Sequence, residues 1–152
     1  MKTLQAKNII SYLLRHSYEK KLPTSRLAAT IFLVDWKYCL EYGKKIGNLN
    51  WRAYSFGPNS EELELLFKKD KDFILLNNDM LMENKVRSTT ADISPEEKYC
   101  CDFIIEICEH KDIDQLVNFM LSLYPILTSA KDGGQINLLE KSMEYNLLKP
   151  DR

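Results

Sequence analysis

The side chains that most often carry out chemistry in proteins are few in this 152-residue chain, and they are not grouped along it. Histidine occurs at His16 and His110, and cysteine at Cys39, Cys100, Cys101 and Cys108. His110 follows Cys108 by two residues, a spacing that turns the two side chains to different faces of a helix and so separates a nucleophile from a base. Glycine-rich phosphate loops, the His-Glu-x-x-His motif and the Gly-x-Ser-x-Gly turn are all absent. The sequence therefore favours a protein that is not an enzyme and that needs no cofactor.

The cysteines fall mostly on apolar helical stripes, which is typical of buried, reduced thiols. The chain has no Cys-x-x-Cys pair and no histidine at a metal-binding spacing, so no metal site is expected. The adjacent Cys100 and Cys101 leave a redox role open as the alternative.

Asp35 lies on the apolar arc of a strongly helical run at residues 26–42. A buried ionised carboxylate is costly unless it is paired or hydrogen-bonded. We therefore expect Asp35 to anchor the fold, either by capping a neighbouring backbone segment or by holding Tyr38, Arg52 or Tyr54. A catalytic Asp35 in a small hydrolase or transferase is an alternative, although no partner acid or metal set supports it.

Aromatic side chains and an arginine alternate in a short extended segment after that helix. They are Trp51, Arg52, Tyr54 and Phe56. Residue types of this kind are enriched in protein interfaces, and they are equally common in cores. Because alternate residues of a strand face opposite sides, we expect some of this set to be buried and some to be available to a partner.

The helices that must position these residues are indicated by apolar periodicity and by capping residues. Residues 26–42 are apolar almost all round, which predicts a central helix. Further helices are predicted over residues 3–17 and 135–148, after a Ser60 cap, and after capping boxes at Ser94 and Asp112. The second helix is expected to be capped by Thr24 or Ser25, and the helix after Asp112 to end or kink near Pro125.

Strands are indicated more weakly. The aromatic segment is expected to end at the turn residues 57–59, residues 73–76 and 80–88 predict an antiparallel hairpin, and residues 131–134 predict a loop. The expected fold class is therefore α+β and mainly α, a helical bundle around a central buried helix with a small antiparallel sheet.

Composition and charge limit the function classes. With 45% apolar and 28% charged residues, the chain is typical of one soluble globular domain. Residues 1–52 carry a charge of +7 and residues 53–152 carry −8, so that either the two parts close on each other or one meets a charged partner. The net charge of −1 makes bulk affinity for nucleic acid unexpected. No signal-peptide core or apolar segment of about 20 residues is present, so a cytoplasmic protein without a membrane span is expected.

Residues 27–58 resemble the Panacea domain, also called the SocA-like antitoxin domain. The resemblance is carried by the helix that contains Asp35 and Trp36, by Gly43 after it, by the aromatic segment, and by Phe56-Gly57-Pro58 before an acidic helix. Residues 88–92 and the capped helix after them resemble the middle of the family. Two features depart from it. Residues 122–126 stand where the family often carries a His and a Pro-Trp pair. Many members also carry an N-terminal DNA-binding domain, whereas this sequence starts directly with the Panacea-like region, so transcriptional autoregulation by this chain alone is not expected.

The resemblance implies an antitoxin domain over residues 1–152, belonging to a bacterial or phage type II toxin–antitoxin system. It would neutralise a toxin encoded by the adjacent gene through direct binding, with delivery of the toxin to a protease as one route. We expect Trp51, Arg52, Tyr54 and Phe56, with the basic N-terminal part, to contact the toxin. We assign Asp35, Trp36, Gly43, Gly57 and Pro58 to the architecture. The alternative is a winged-helix-like nucleic-acid-binding module with residues 73–88 as its wing.

Overall fold

The computed structural model describes residues 2–17, 20–77, 81–84 and 93–148, which form seven helices and six strands. The helices are α1 (Lys2–Arg15), α2 (Thr24–Tyr42), α3 (Glu61–Lys69), α4 (Pro95–Cys108), α5 (Ile113–Leu121), α6 (Tyr124–Leu127) and α7 (Leu138–Leu148). The strands are β1 (Lys21–Pro23), β2 (Trp51–Tyr54), β3 (Gly57–Asn59), β4 (Phe73–Leu76), β5 (Leu81–Asn84) and β6 (Asp132–Ile136). The expected α+β, mainly α class is confirmed.

Helix α2 is the centre of the core, as its nearly continuous apolar surface predicts. It packs against α1, α4, α5 and α7, and ten of its residues are buried. It ends at Tyr42 and is capped by Gly43, whose φ of 67° lies in the left-handed region and whose N–H donates to the carbonyl of Cys39. The expected cap by Thr24 or Ser25 is wrong, because the helix begins at Thr24 and the capping position falls on Pro23, which has no side-chain acceptor.

Local capping fixes the starts of three other helices as predicted. The Ser60 hydroxyl accepts from the N–H of Leu63 at the start of α3. Complete capping boxes begin α4, where Ser94 and Glu97 exchange hydrogen bonds of 3.1 and 2.8 Å, and α5, where Asp112 caps. Helix α5 ends at Leu121, shortly before Pro125, so the predicted stop is also confirmed.

Two three-stranded antiparallel sheets lie beside the helices, where one small sheet was expected. One has the order β1-β5-β4, and the other has the order β3-β2-β6. The predicted hairpin is confirmed where β4 pairs with β5. Residues 78–80 and 85–92, which include part of this hairpin and of the family-like middle segment, lie outside the described residues.

Two segments that were expected to be a turn and a loop form strands instead. Residues 57–59 form β3, because the chain already turns at Ser55 and Phe56, and Pro58 is tolerated on this edge strand. Residues 132–134 belong to β6, which pairs with β2. Gly133 has a φ of 98°, which side chains disfavour, and a Cβ on Gly134 would lie 2.5 Å from the carbonyl oxygen of Ala130. The two glycines therefore allow the tight backbone path at the start of β6.

Part of the basic N-terminal region closes on the rest of the molecule. The Lys7 ammonium lies 3.3 Å from Asp70 and 2.5 Å from Asp72, between α1 and the segment before β4. The Arg26 guanidinium donates to the backbone carbonyls of Cys108 and, at 2.6 Å, Lys111. These cations therefore do not form an open basic face. No helix in the described part of the chain is long and apolar enough to cross a membrane.

A hydrogen bond from Tyr12 to Asp102, 2.5 Å long, ties α1 to α4 across 90 residues. Burial alone would raise the pKa of Asp102, but hydrogen bonds from Lys98 and Tyr12 outweigh it and hold that pKa below its ordinary value. A carboxylate with a lowered folded-state pKa stabilises the fold above its unfolded-state pKa, and that contribution is lost as the pH falls through the folded-state value.

Replacing Tyr12 by phenylalanine should therefore lower the free energy of unfolding by about 1–2 kcal/mol at pH 7, because it removes a hydrogen bond to a charged group. The difference from wild type should shrink as the pH falls below about 4, the ordinary pKa of an aspartate, and through the lower folded-state pKa of Asp102. Urea unfolding at several pH values measures this. A difference that stays constant down to pH 2 would contradict the charge-assisted bond.

Candidate partner-binding surface

Strand β2 divides the aromatic segment between the core and the surface. The side chains of Trp51 and Ala53 are fully buried, whereas Arg52 is exposed and Tyr54 is half-buried. This is the two-residue alternation of a strand that has one face on the core. The structure thus divides this set into buried and exposed members, as expected, and contact of the exposed ones with a partner stays a prediction.

Trp51 is in the core and holds the buried Asp35. The indole Nε1–H of Trp51 donates to one carboxylate oxygen at 3.0 Å, and the backbone N–H of Ile46 donates to the other at 3.1 Å. The indole also packs edge-on against Phe32, with ring centroids 5.1 Å apart. Burial raises the pKa of Asp35, while these two donors and Lys45 act in the opposite direction.

Asp35 accepts a hydrogen bond from a backbone N–H, that of Ile46, which is the contact expected of a residue that caps a backbone segment. Its role as an anchor of the fold stays a prediction. Its side-chain partner is Trp51 and not Tyr38, Arg52 or Tyr54. A buried indole N–H needs an acceptor, and this requirement is the signal that connects the two residues. The position of Trp51 makes it a support for the surface, since its side chain has no exposed area to offer a partner.

The exposed end of this hairpin carries a stacked aromatic pair. The rings of Tyr54 and Phe56 are nearly parallel, with centroids 5.1 Å apart and an interplanar angle of 7°. Phe56 is 61% exposed. A Cβ on Gly133 would lie 3.4 Å from the Tyr54 ring, so strand β6 packs closely against Tyr54.

Arg52 lies beside the pair and is fixed by the same strand. Its guanidinium donates to the carbonyl of Gly133 at 2.9 Å, and its strand neighbours are Asn59 and Gln135. A polar depression of about 120 Å³ adjoins it. We call the surface formed by Arg52, Tyr54, Phe56, Asn59 and Gln135 the sheet face. Asn59 is not among the predicted contact residues because residues 57–59 were expected to form a turn. Gln135 is not among them because the last helix was expected to begin there; that start is wrong, since Gln135 lies in β6 and α7 begins at Leu138.

The other predicted architectural residues occupy structural positions. Trp36 is buried and contacts Tyr145 edge-on, with centroids 6.1 Å apart. Gly57 has a φ of 120°, and a Cβ there would lie 3.4 Å from the Met120 side chain. Pro58 pairs with Ala53 in the sheet.

The thiols are placed as predicted, since all four cysteines are buried and free. Burial raises the pKa of Cys100 to about 11 and also raises the pKa of Cys101, which disfavours the thiolate that redox chemistry needs. Among the described residues, no group of three or more histidine, cysteine or acidic side chains could hold a metal ion. The sheet face presents aromatic rings and the guanidinium of Arg52.

Comparison with known proteins gives one family. A family model described as "Antitoxin SocA-like, Panacea domain" matches residues 29–123. The match covers most of α2 and the whole β2–β3 hairpin, and ends before β6 and α7. No curated protein and no solved structure matches the chain.

Proposed function

The chain belongs to the SocA-like antitoxin family with a Panacea domain, and we propose that it neutralises a cognate toxin by binding it directly. The proposed toxin is the product of the adjacent gene, in a type II toxin–antitoxin system. Binding blocks the toxin, distorts it or delivers it to a protease, and in each case the first step is a protein–protein contact.

The observation that carries the proposal beyond the family is the exposed Tyr54–Phe56 stack beside Arg52. Tyrosine and arginine are the residues that most often dominate binding energy in protein interfaces, and aromatic side chains are enriched there. A large apolar ring at 61% exposure gains free energy when a partner covers it.

The surface also has a rigid base. Trp51 and Ala53 alternate with the contact residues and are anchored in the core, and the Arg52 guanidinium is already hydrogen-bonded to Gly133. Side chains that are held in place before binding lose less conformational entropy when the partner arrives. The sheet face therefore suits direct and specific binding of a protein.

Growth of a bacterial host tests the proposal. The adjacent gene is expressed from an inducible promoter, with and without this chain, and colony formation is counted. We expect the adjacent gene alone to arrest growth and co-expression to restore it. A harmless neighbour, or arrest that this chain does not relieve, would contradict the proposed neutralisation.

A further inference from the structure

Helix α4 presents an exposed aromatic surface that the proposed toxin contact does not use. Tyr99 is 49% exposed and Phe103 is 40% exposed. The helical repeat places them in one stripe with Glu96 and Glu106, so that the order along the helix is acid, ring, ring, acid. The two carboxylates are separated by about 15 Å along the helix axis. We call these four residues the α4 stripe.

The rings of the α4 stripe already bind a cation within the molecule. The Lys37 ammonium lies 4.0 Å from the centroid of Phe103 and 5.7 Å from that of Tyr99. Glu41 holds this ammonium at 2.7 Å. The geometry shows that these ring faces are suited to cations, as the quadrupole of an aromatic ring predicts.

The charge that remains on this surface is negative. Lys37 is paired with Glu41, and Lys98 is paired with Asp102 at 2.8 Å. Neither Glu96 nor Glu106 makes an ion pair within the described ranges. A partner that carries positive charge would therefore meet two uncompensated carboxylates, one at each end of the aromatic stripe.

The nearby tyrosine hydroxyls respond to the same negative potential. Burial raises the pKa of Tyr38, and the carboxylates of Glu97 and Glu96 raise it further. The negative potential of these carboxylates therefore extends to Tyr38 on the neighbouring α2 surface.

We propose that the α4 stripe docks a basic, arginine-bearing segment of another protein. Arginine guanidinium groups stack on the exposed faces of Tyr99 and Phe103, and basic side chains about 15 Å apart pair with Glu96 and Glu106. This site is separate from the sheet face and does not rest on the proposed function. It gives the domain a second, charge-selective contact surface.

Fluorescence anisotropy with synthetic peptides tests the site on the full chain. The probe is a labelled alanine-based helical peptide with arginines repeated along one face, and the comparison peptide carries glutamate at the same positions. We expect the arginine peptide to bind, the glutamate peptide not to bind, and the affinity to fall as salt is added.

Charge-matched variants locate the binding. The double variant Glu96→Gln/Glu106→Gln should bind the arginine peptide at least tenfold more weakly than wild type. The control Glu61→Gln/Glu140→Gln removes the same charge from two exposed helical positions, in α3 and α7, and should bind normally. The single variant Phe103→Ala should also weaken binding, whereas Arg52→Ala on the sheet face should not. Circular dichroism confirms that each variant is folded.

Three results would overturn the assignment. One is equal binding of the arginine and glutamate peptides, or no binding of either. Another is an unchanged affinity in the Glu96→Gln/Glu106→Gln variant. The third is a dimer of this chain, detected by analytical ultracentrifugation, that Tyr99→Ala dissociates, because the stripe would then be covered by a second copy.

Discussion

Replacing Asp35 by alanine should lower the free energy of unfolding by about 3–5 kcal/mol. The substitution leaves the indole N–H of Trp51 and the backbone N–H of Ile46 without their acceptor in a buried site. Each unsatisfied buried donor costs about 1–3 kcal/mol, and the lost side-chain volume adds to this. Urea unfolding, followed by Trp fluorescence and circular dichroism, measures the change.

A second carboxylate on the same helix provides the control. Glu41 is exposed on α2 and pairs with Lys37, and exposed pairs of this kind contribute less than about 1 kcal/mol. Glu41→Ala should therefore leave the unfolding midpoint nearly unchanged. If Asp35→Ala is no more destabilised than Glu41→Ala, Asp35 is not the anchor of the fold.

Replacing both Tyr54 and Phe56 by alanine should have the largest effect on binding. We expect the affinity for the proposed toxin to fall by at least about 2 kcal/mol, or roughly thirtyfold, because central aromatic residues commonly contribute this much or more. The fold should persist, since Phe56 is mostly exposed and Trp51 and Ala53 hold β2 in the core. Isothermal titration calorimetry with purified proteins measures the difference.

Leu127 is the matched control for this substitution. It is 60% exposed, almost the same fraction as Phe56, and it lies outside both the sheet face and the residues that the family model matches. Leu127→Ala should bind with the affinity of wild type. The toxin contact would lie elsewhere if Leu127→Ala lost as much affinity as the Tyr54→Ala/Phe56→Ala variant, or if the latter kept the full affinity of wild type.

The parts of the fold that could be predicted from the sequence are those with local causes. The starts of α4 and α5 follow from capping boxes, in which residues three positions apart satisfy each other's backbone groups. The central position of α2 follows from its apolar surface alone. The need for hydrogen-bond donors around Asp35 follows from the cost of an unpaired buried carboxylate, whereas the identity of these donors, Trp51 and Ile46, does not.

The features that the sequence did not predict depend on contacts between residues that are far apart in the sequence. Strand β6 contains Gly133 and Gly134, which are typical of loops, and it is a strand because β2 pairs with it from about 80 residues away. The core cluster packs against the face of β2 that carries Trp51 and Ala53, so Trp51 is buried while Arg52 is exposed. Alternation predicts two faces, but only the packing of the sheet determines which of them a partner can reach.

The most direct test of the account is to mix this purified chain with the purified product of the adjacent gene and to follow both by size-exclusion chromatography with light scattering. The account predicts one complex of fixed stoichiometry, which the Tyr54→Ala/Phe56→Ala variant fails to form while Leu127→Ala forms it. Separate elution of the two wild-type proteins at micromolar concentration would contradict direct binding, and a complex that the aromatic variant still forms would contradict the role of the sheet face.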